Sequence, residues 1–176
     1  MPDSTLSQAI KEAYAAAPST EIVLHTLEFR HTSFTAPIRV VLDNTDLPAF
    51  LESGAPENPG EQVDFIAMQF SLTKPEVGTN GAPEMSIELD NVSPEIEDQM
   101  SSAIFTQAVI EVTYRAYLGS DLSGPQNNPP LHMEVKSCRA DDFKVTARCS
   151  FGNFNNTRFP NELYRLTDYP SLAEVY

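Results

Sequence analysis

The sequence predicts a mainly β protein: a β-sandwich or open barrel of antiparallel strands with two short helices, at about 5–17 and 93–105. Three observations lead there. Seven runs are rich in branched, aromatic or alternating residues and read as strands. The segments between them hold most of the 14 prolines and read as turns and loops. Only two stretches place apolar residues at helical spacing.

In chain order, Leu6, Ile10, Ala13, Tyr14 and Ala17 share one helical face. Thr5 and Gln8 offer a capping box, and Pro18 ends the element. Residues 21–29 and 36–42 are strands, joined by a loop with His31 and Ser33. Residues 62–72 form the next strand, with Ile66, Met68, Phe70 and Leu72 on one face. Residues 84–90 alternate cleanly: Met85, Ile87 and Leu89 face one way, Glu84, Ser86, Glu88 and Asp90 the other. Ser93-Pro94-Glu95 is a helix start, with a capping serine, proline at the first helical position and an acid near the positive dipole end. Residues 109–118 are a strand, and 131–138 with 143–150 make a hairpin around 139–142. Long loops are expected at 43–61, 73–83 and 119–130, and an irregular, aromatic C-terminal segment at 151–176. Loops of that length in a compact protein tend to be functional. The whole, 1–176, reads as a single domain.

Charge narrows the function classes. The formal net charge is −14. Residues 43–98 hold 13 acids against one base, Lys74, a net of −12. Residues 136–165 hold six bases (Lys136, Arg139, Lys144, Arg148, Arg158, Arg165) and three acids, a net of +3. Such a surface repels free nucleic acid. It suits either plain solubility or self-association, the acidic face of one copy meeting the basic face of the next. No run of 18 apolar residues occurs, so no membrane-spanning helix is expected, and Met1 to Thr5 do not begin a secretory signal.

No catalytic, cofactor or metal site is predicted. On a strand, His25 and Glu28 point to opposite faces, and only the distant His132 would complete a three-histidine set with His31. Cys138 and Cys149 form no Cys-x-x-Cys motif. A turn near 140–141 sets Cys138 across from about Phe143 and Cys149 from about His132, so two reduced cysteines are expected. The acidic face of Glu84, Glu88 and Asp90 lacks the signatures of a cation loop or hydrolase. It reads as a solvated sheet face, or as the lining of a pore or interface. Phe151, Phe154 and Phe159, among Asn153, Asn155 and Asn156, read as a segment covering a sheet edge or reaching a neighbour.

Taken together, Glu21-Ile-Val-Leu-His-Thr-Leu-Glu-Phe-Arg-His31, Pro37-Ile-Arg-Val-Val41, Phe159-Pro160 and Tyr169-Pro-Ser-Leu172 resemble a family of phage and prophage minor tail proteins, long listed as a domain of unknown function. Ser171 departs from the glycine more usual in that family's final motif. The resemblance implies a tube-type β-sandwich acting as a distal-tail-like part of the tail tip of a long-tailed, non-contractile phage. It implies a homo-oligomeric ring, a hexamer if it matches the tube's symmetry, between tail tube and central hub. The partners would be copies of itself, the tube, hub and tape measure proteins, with DNA passing through. The location would be the virion, after assembly in the bacterial cytoplasm. Under that reading Asp64, Glu84, Glu88 and Asp90 line the channel, and Lys136, Arg139, Lys144, Arg148, Arg158 and Arg165 form a basic face between subunits. A tail terminator or tube protein is the nearest alternative. A cytosolic β-sandwich enzyme or carbohydrate-binding module is the alternative of another class.

Overall fold

The computed structural model describes residues 6–16, 21–73, 84–90, 96, 98, 99, 102, 103, 106, 108–141 and 144–151. They are mainly β: one helix, α1 (Gln8–Ala16), and nine strands, β1 (Val23–Arg30), β2 (Ile38–Val41), β3 (Leu47–Phe50), β4 (Gln62–Ala67), β5 (Phe70–Thr73), β6 (Glu84–Asp90), β7 (Glu111–Leu118), β8 (Leu131–Asp141) and β9 (Lys144–Ser150). The hydrogen-bonded order is β3-β4-β2-β1-β7-β8-β9-β6-β5. Neighbours are antiparallel except β2 and β4, which run parallel through Val40–Ile66 and Val41–Ala67. The sheet is therefore mixed, not wholly antiparallel. The cause is β3, whose excursion returns the chain beside β2 in the same direction.

The last strand of that order, β5, is joined by the chain to the second, β4. Only Met68 and Gln69 separate β4 from β5. The Met68 N–H donates to the Val41 carbonyl, and the Gln69 carbonyl accepts from the Asp90 N–H. One strand, 62–73, thus bonds β2 on one side and β6 on the other, and the sheet returns on itself as a barrel. Alternation along strands sends one parity inward. Leu27, Phe29, Val40, Met68, Phe70, Met85, Ile87, Leu89, Val112, Tyr114, Met133, Val145, Ala147 and Cys149 make one core, which Ile10 and Ala13 of α1 join.

A second, smaller core lies on the outer side of β1, β2 and β7. There Leu24, Val41 and Tyr117 pack under Leu47, Ala49, Leu51 and Ala55, with Val63 and Phe65 of β4. The segment 43–61, expected as a plain loop, contains β3 and acts as a cover. Loop 119–130 is likewise tied down. Asn127 is buried; its Oδ1 accepts from the Ala116 N–H at 2.9 Å and its Nδ2 donates to the Tyr114 carbonyl at 3.2 Å. One side chain supplies the part of β7 beyond β8 with the donor and acceptor of a missing strand.

Helix α1 begins later than expected. Ser7, not Thr5, caps it, accepting from the Ile10 N–H at 3.3 Å, while its own N–H reaches the Gln126 carbonyl. In the region of the second expected helix, Ile96, Asp98, Gln99, Ser102 and Ala103 are helical. The rest of 93–105 is largely outside the described residues, as are 74–83 and 152–176. Asp141 stands opposite Lys144, with a bulge between Val135 and Ser137; residues 142–143 lie outside the described residues. Cys138 therefore faces Ala147 and Cys149 faces Val135, a correction of the expected register.

Candidate functional site

The outer face of β1, β2 and β7 carries charge where a strand face would ordinarily be apolar. Thr26, Glu28 and Arg30 alternate along β1, Arg39 lies across from Glu28 on β2, and Thr113 and Arg115 alternate along β7. Glu28 and Arg115 are fully buried. An isolated ion would cost several kcal/mol there, so each must find partners. Glu28 receives three guanidinium groups: Arg30 Nη1 at 3.2 Å, Arg39 Nε at 2.9 Å and Arg115 Nη1 at 3.4 Å. The last is an ion-pair contact without a hydrogen bond. Arg115 also grips Glu52 with a planar fork, Nε to Oε2 at 2.7 Å and Nη2 to Oε1 at 2.8 Å. Arg30 Nη2 reaches Glu111 Oε2 at 2.8 Å.

Three carboxylates and three guanidiniums thus balance. They tie together β1, β2, β7 and the segment 51–61. The fold of that segment serves the contact. The Glu52 carbonyl accepts from the N–H groups of Ala55 and Gly60. Asn58 adopts φ 53°, which asparagine tolerates, and bridges Arg39 (2.9 Å) to Glu61 (2.7 Å). Burial pushes the Glu52 carboxyl up, but the hydrogen bond from Arg115, a backbone hydrogen bond and the Arg115 charge outweigh it and hold it below its usual 4.5. Burial acts to lower Arg115; its bond to Glu52 and the charges of Glu28 and Glu52 reverse this and keep it cationic.

Beside this network is a cleft of about 300 Å³ lined by Arg30, Pro56, Glu111, His132, Met133 and Glu134. Glu111 and Glu134 are directly opposite across β7 and β8, each with its own cation: Arg30 at 2.8 Å and Lys136 at 2.7 Å. The His132 Nδ1 lies 3.0 Å from the Thr113 hydroxyl. Its pKa is depressed below 6.5 by burial, then by the charges of Arg30 and Arg115. The cleft holds a neutral imidazole at pH 7.

The three histidines stand apart, each against a hydroxyl. The His25 Nδ1 is 2.8 Å from the Tyr114 hydroxyl and its ring stacks on the tyrosine. The His31 Nδ1 is 2.7 Å from the Ser33 hydroxyl. Among the described residues no group of three or more His, Cys, Asp or Glu side chains is arranged to hold a metal ion. Cys138 and Cys149 are free thiols, and burial pushes both upward, Cys149 to about 12.

The acidic and basic sets read from the sequence become neighbours. Met85, Ile87 and Leu89 are buried and Glu84 and Asp90 exposed, as the alternation of β6 requires. Next to β6 runs β9, with Ser86 opposite Arg148 and Asp90 opposite Lys144. Lys144 Nζ lies 2.7 Å from Glu88 Oε2. Lys136, Arg139 and Arg148 are exposed on β8 and β9. Asp64 is exposed on β4, across from Pro48. Arg158 and Arg165 lie outside the described residues.

Sequence reasoning missed the buried network. Its signal was present: Glu28 and Arg30 alternate within an apolar strand, and Arg115 interrupts Val-Thr-Tyr-Arg-Ala-Tyr-Leu. A charge within an otherwise apolar strand demands a partner of opposite sign once that face is covered.

Fold and site define a class: a mainly β barrel whose outer wall is locked by buried ion pairs under a folded-over excursion. The chain belongs to the family described as Domain of unknown function (DUF1833), whose model matches residues 9–164. No curated protein matches it.

Proposed function

We propose that this protein is a non-enzymatic structural part of the tail tip of a long-tailed, non-contractile phage. It would form a ring between tail tube and hub and line the path of the DNA in the virion. The observation that carries this reading is the placement of charge. Residues 43–73 contain six acids and no base; Glu52 among them is spent on Arg115, while Asp46, Glu57, Glu61 and Asp64 are exposed on the outside. An acidic wall repels passing phosphates and lets DNA slide without binding. The motifs of 21–41 support the reading through their likeness to minor tail proteins. The buried lock gives a stiff subunit, as a ring part requires.

The lining proposed here is Asp64, Glu84, Glu88 and Asp90. Glu88 is partly neutralised by Lys144. Asp64 and Glu84, with Asp46, Glu57 and Glu61 of the excursion, then supply most of the negative field. Lysine at Glu84, Glu88 and Asp90 together should leave particles assembled but impair DNA ejection; normal ejection by such particles defeats the lining. The role itself is tested by negative-stain microscopy and native mass spectrometry of the purified chain, alone and with the tail tube and hub proteins. Rings support it. A protein that stays monomeric under all these conditions, or one that binds glycans through the Arg30–His132 cleft, overturns it.

A further inference from the structure

We propose that the groove where the barrel closes binds a short alkyl diamine, with Asp43 and Asp90 each holding one of its ammonium groups. The groove is built within one chain, so the site does not depend on the ring reading.

The groove comes from the change of partner in strand 62–73. The Met68 N–H donates to the Val41 carbonyl at the end of β2, and the Gln69 carbonyl accepts from the Asp90 N–H at the end of β6. Those two strand ends therefore flank the same short crossing from opposite sides. A cavity of about 330 Å³ lies there. Its floor is apolar, made by Ile66, Ala67, Met68 and Ile96. Met68 and Ile96 are buried, but Ile66 is 51% exposed. Covering that floor with carbon removes apolar surface from water, which favours a ligand with an alkyl body.

Two carboxylates line the groove, one from each side. Asp43 follows β2 by two residues and is half-buried; its Oδ1 accepts from the Asn44 N–H at 2.7 Å. Asp90 closes β6 and is exposed. It stands opposite Lys144, but the Lys144 Nζ sits on Glu88 at 2.7 Å. Among the described residues neither Asp43 nor Asp90 forms an ion pair. At the rim the Gln69 Nε2 donates to the Asn44 Oδ1 at 3.3 Å, which ties the two sides together and holds the width of the groove.

Shape and charge together name the ligand. The apolar floor selects a carbon chain, and a carboxylate on each side selects a cation at each end. A bare divalent ion is a poor fit, because its oxygen ligands must converge on one point and the crossing strand holds these two apart. Adjacent strands lie about 4.8 Å apart, so strands on either side of a third are separated by roughly 10 Å. A charge-assisted hydrogen bond takes about 2.8 Å at each end, which leaves about 5–7 Å between the two nitrogens once the aspartates lean. An extended chain advances ~1.2 Å per bond, so about three to five methylenes cover that span.

The test is calorimetric titration of the purified chain with 1,4-diaminobutane, alongside mapping of amide shifts by NMR. Saturable binding is expected, with the shifts centred on Asn44, Ala67, Met68, Gln69 and Asp90. Butylamine and 1,8-diaminooctane, at equal ionic strength, should each bind more weakly by about fivefold, the loss of one exposed ion pair. Asp43→Asn and Asp90→Asn keep the size of the side chain, and each should weaken the diamine by about the same factor while melting within a few degrees of the wild type. Should either variant fail to fold, the amine series and the shift map of the wild type decide the matter. No saturable binding, equal binding of butylamine and the diamine, affinity untouched by both substitutions, or shifts centred on Glu111 and Glu134 would each overturn the site. None of these results bears on whether the chain forms rings.

Discussion

Glu28 shows how one residue organises a face. Its two oxygens meet three arginines from three strands, and it is wholly buried. Removing the charge leaves Arg115 and its neighbours partly uncompensated inside the protein. That loss exceeds the value of any surface pair, because water cannot replace the lost partner. Glu28→Gln keeps the volume and removes only the charge. It should destabilise by about 3–5 kcal/mol in urea unfolding and lower the Tm by ~10 °C. Lys144→Gln breaks an exposed pair with Glu88 and should change stability by less than about 1 kcal/mol. Equal effects from both would refute the burial argument.

At the scale of elements, the structure separates what pattern can reveal from what it cannot. β6 was readable because Met85, Ile87 and Leu89 must face the core, and alternation fixes the rest. The strand expected at 62–72 is physically one strand, since β4 and β5 form a continuous run divided by a change of partner at Met68 and Gln69. Local sequence carries the extension of a strand but not the identity of its neighbour. β3 was missed because it has four residues and contains Pro48, both of which argue against a strand. The charged network was missed because its partners are up to 87 residues apart, from Glu28 to Arg115. Asn127 belongs with these hidden features. It sits in a proline-rich loop, where asparagine usually marks a turn, yet it completes the ladder of β7. Asn127→Ala would leave the Ala116 N–H and the Tyr114 carbonyl without those partners, at ~1–3 kcal/mol each. Asn127→Asp should not rescue, because its second oxygen would face the Tyr114 carbonyl. A denaturation midpoint unchanged in Asn127→Ala would show that loop 119–130 is not needed to complete β7.

The whole molecule is a barrel held from inside by apolar packing and from outside by ion pairs, and the two respond differently to solution conditions. The core is insensitive to pH. The outer lock is not, because it depends on Glu52 being ionised, and His132 beside it is kept neutral by burial and by the charges of Arg30 and Arg115. Both groups have folded-state pKa values below their ordinary ones. For each, the folded state binds a proton less readily than the unfolded chain. The stabilisation is therefore present above the unfolded pKa and is lost as pH falls through the folded one. His132 should give a first decline as pH drops below about 6.5, and Glu52 a second below about 4.5. Urea midpoints measured from pH 8 to pH 3 should trace this two-stage curve. His132→Asn should flatten the first stage and leave the second, and Glu52→Gln should flatten the second while lowering stability at neutral pH. Because Glu52 anchors the excursion 51–61 over the second core, the acid transition should expose that segment first, giving early amide exchange at Leu51 and Gly60 while Met68 at the barrel closure stays protected. Simultaneous exchange at all three sites would mean that lock and barrel unfold as one unit.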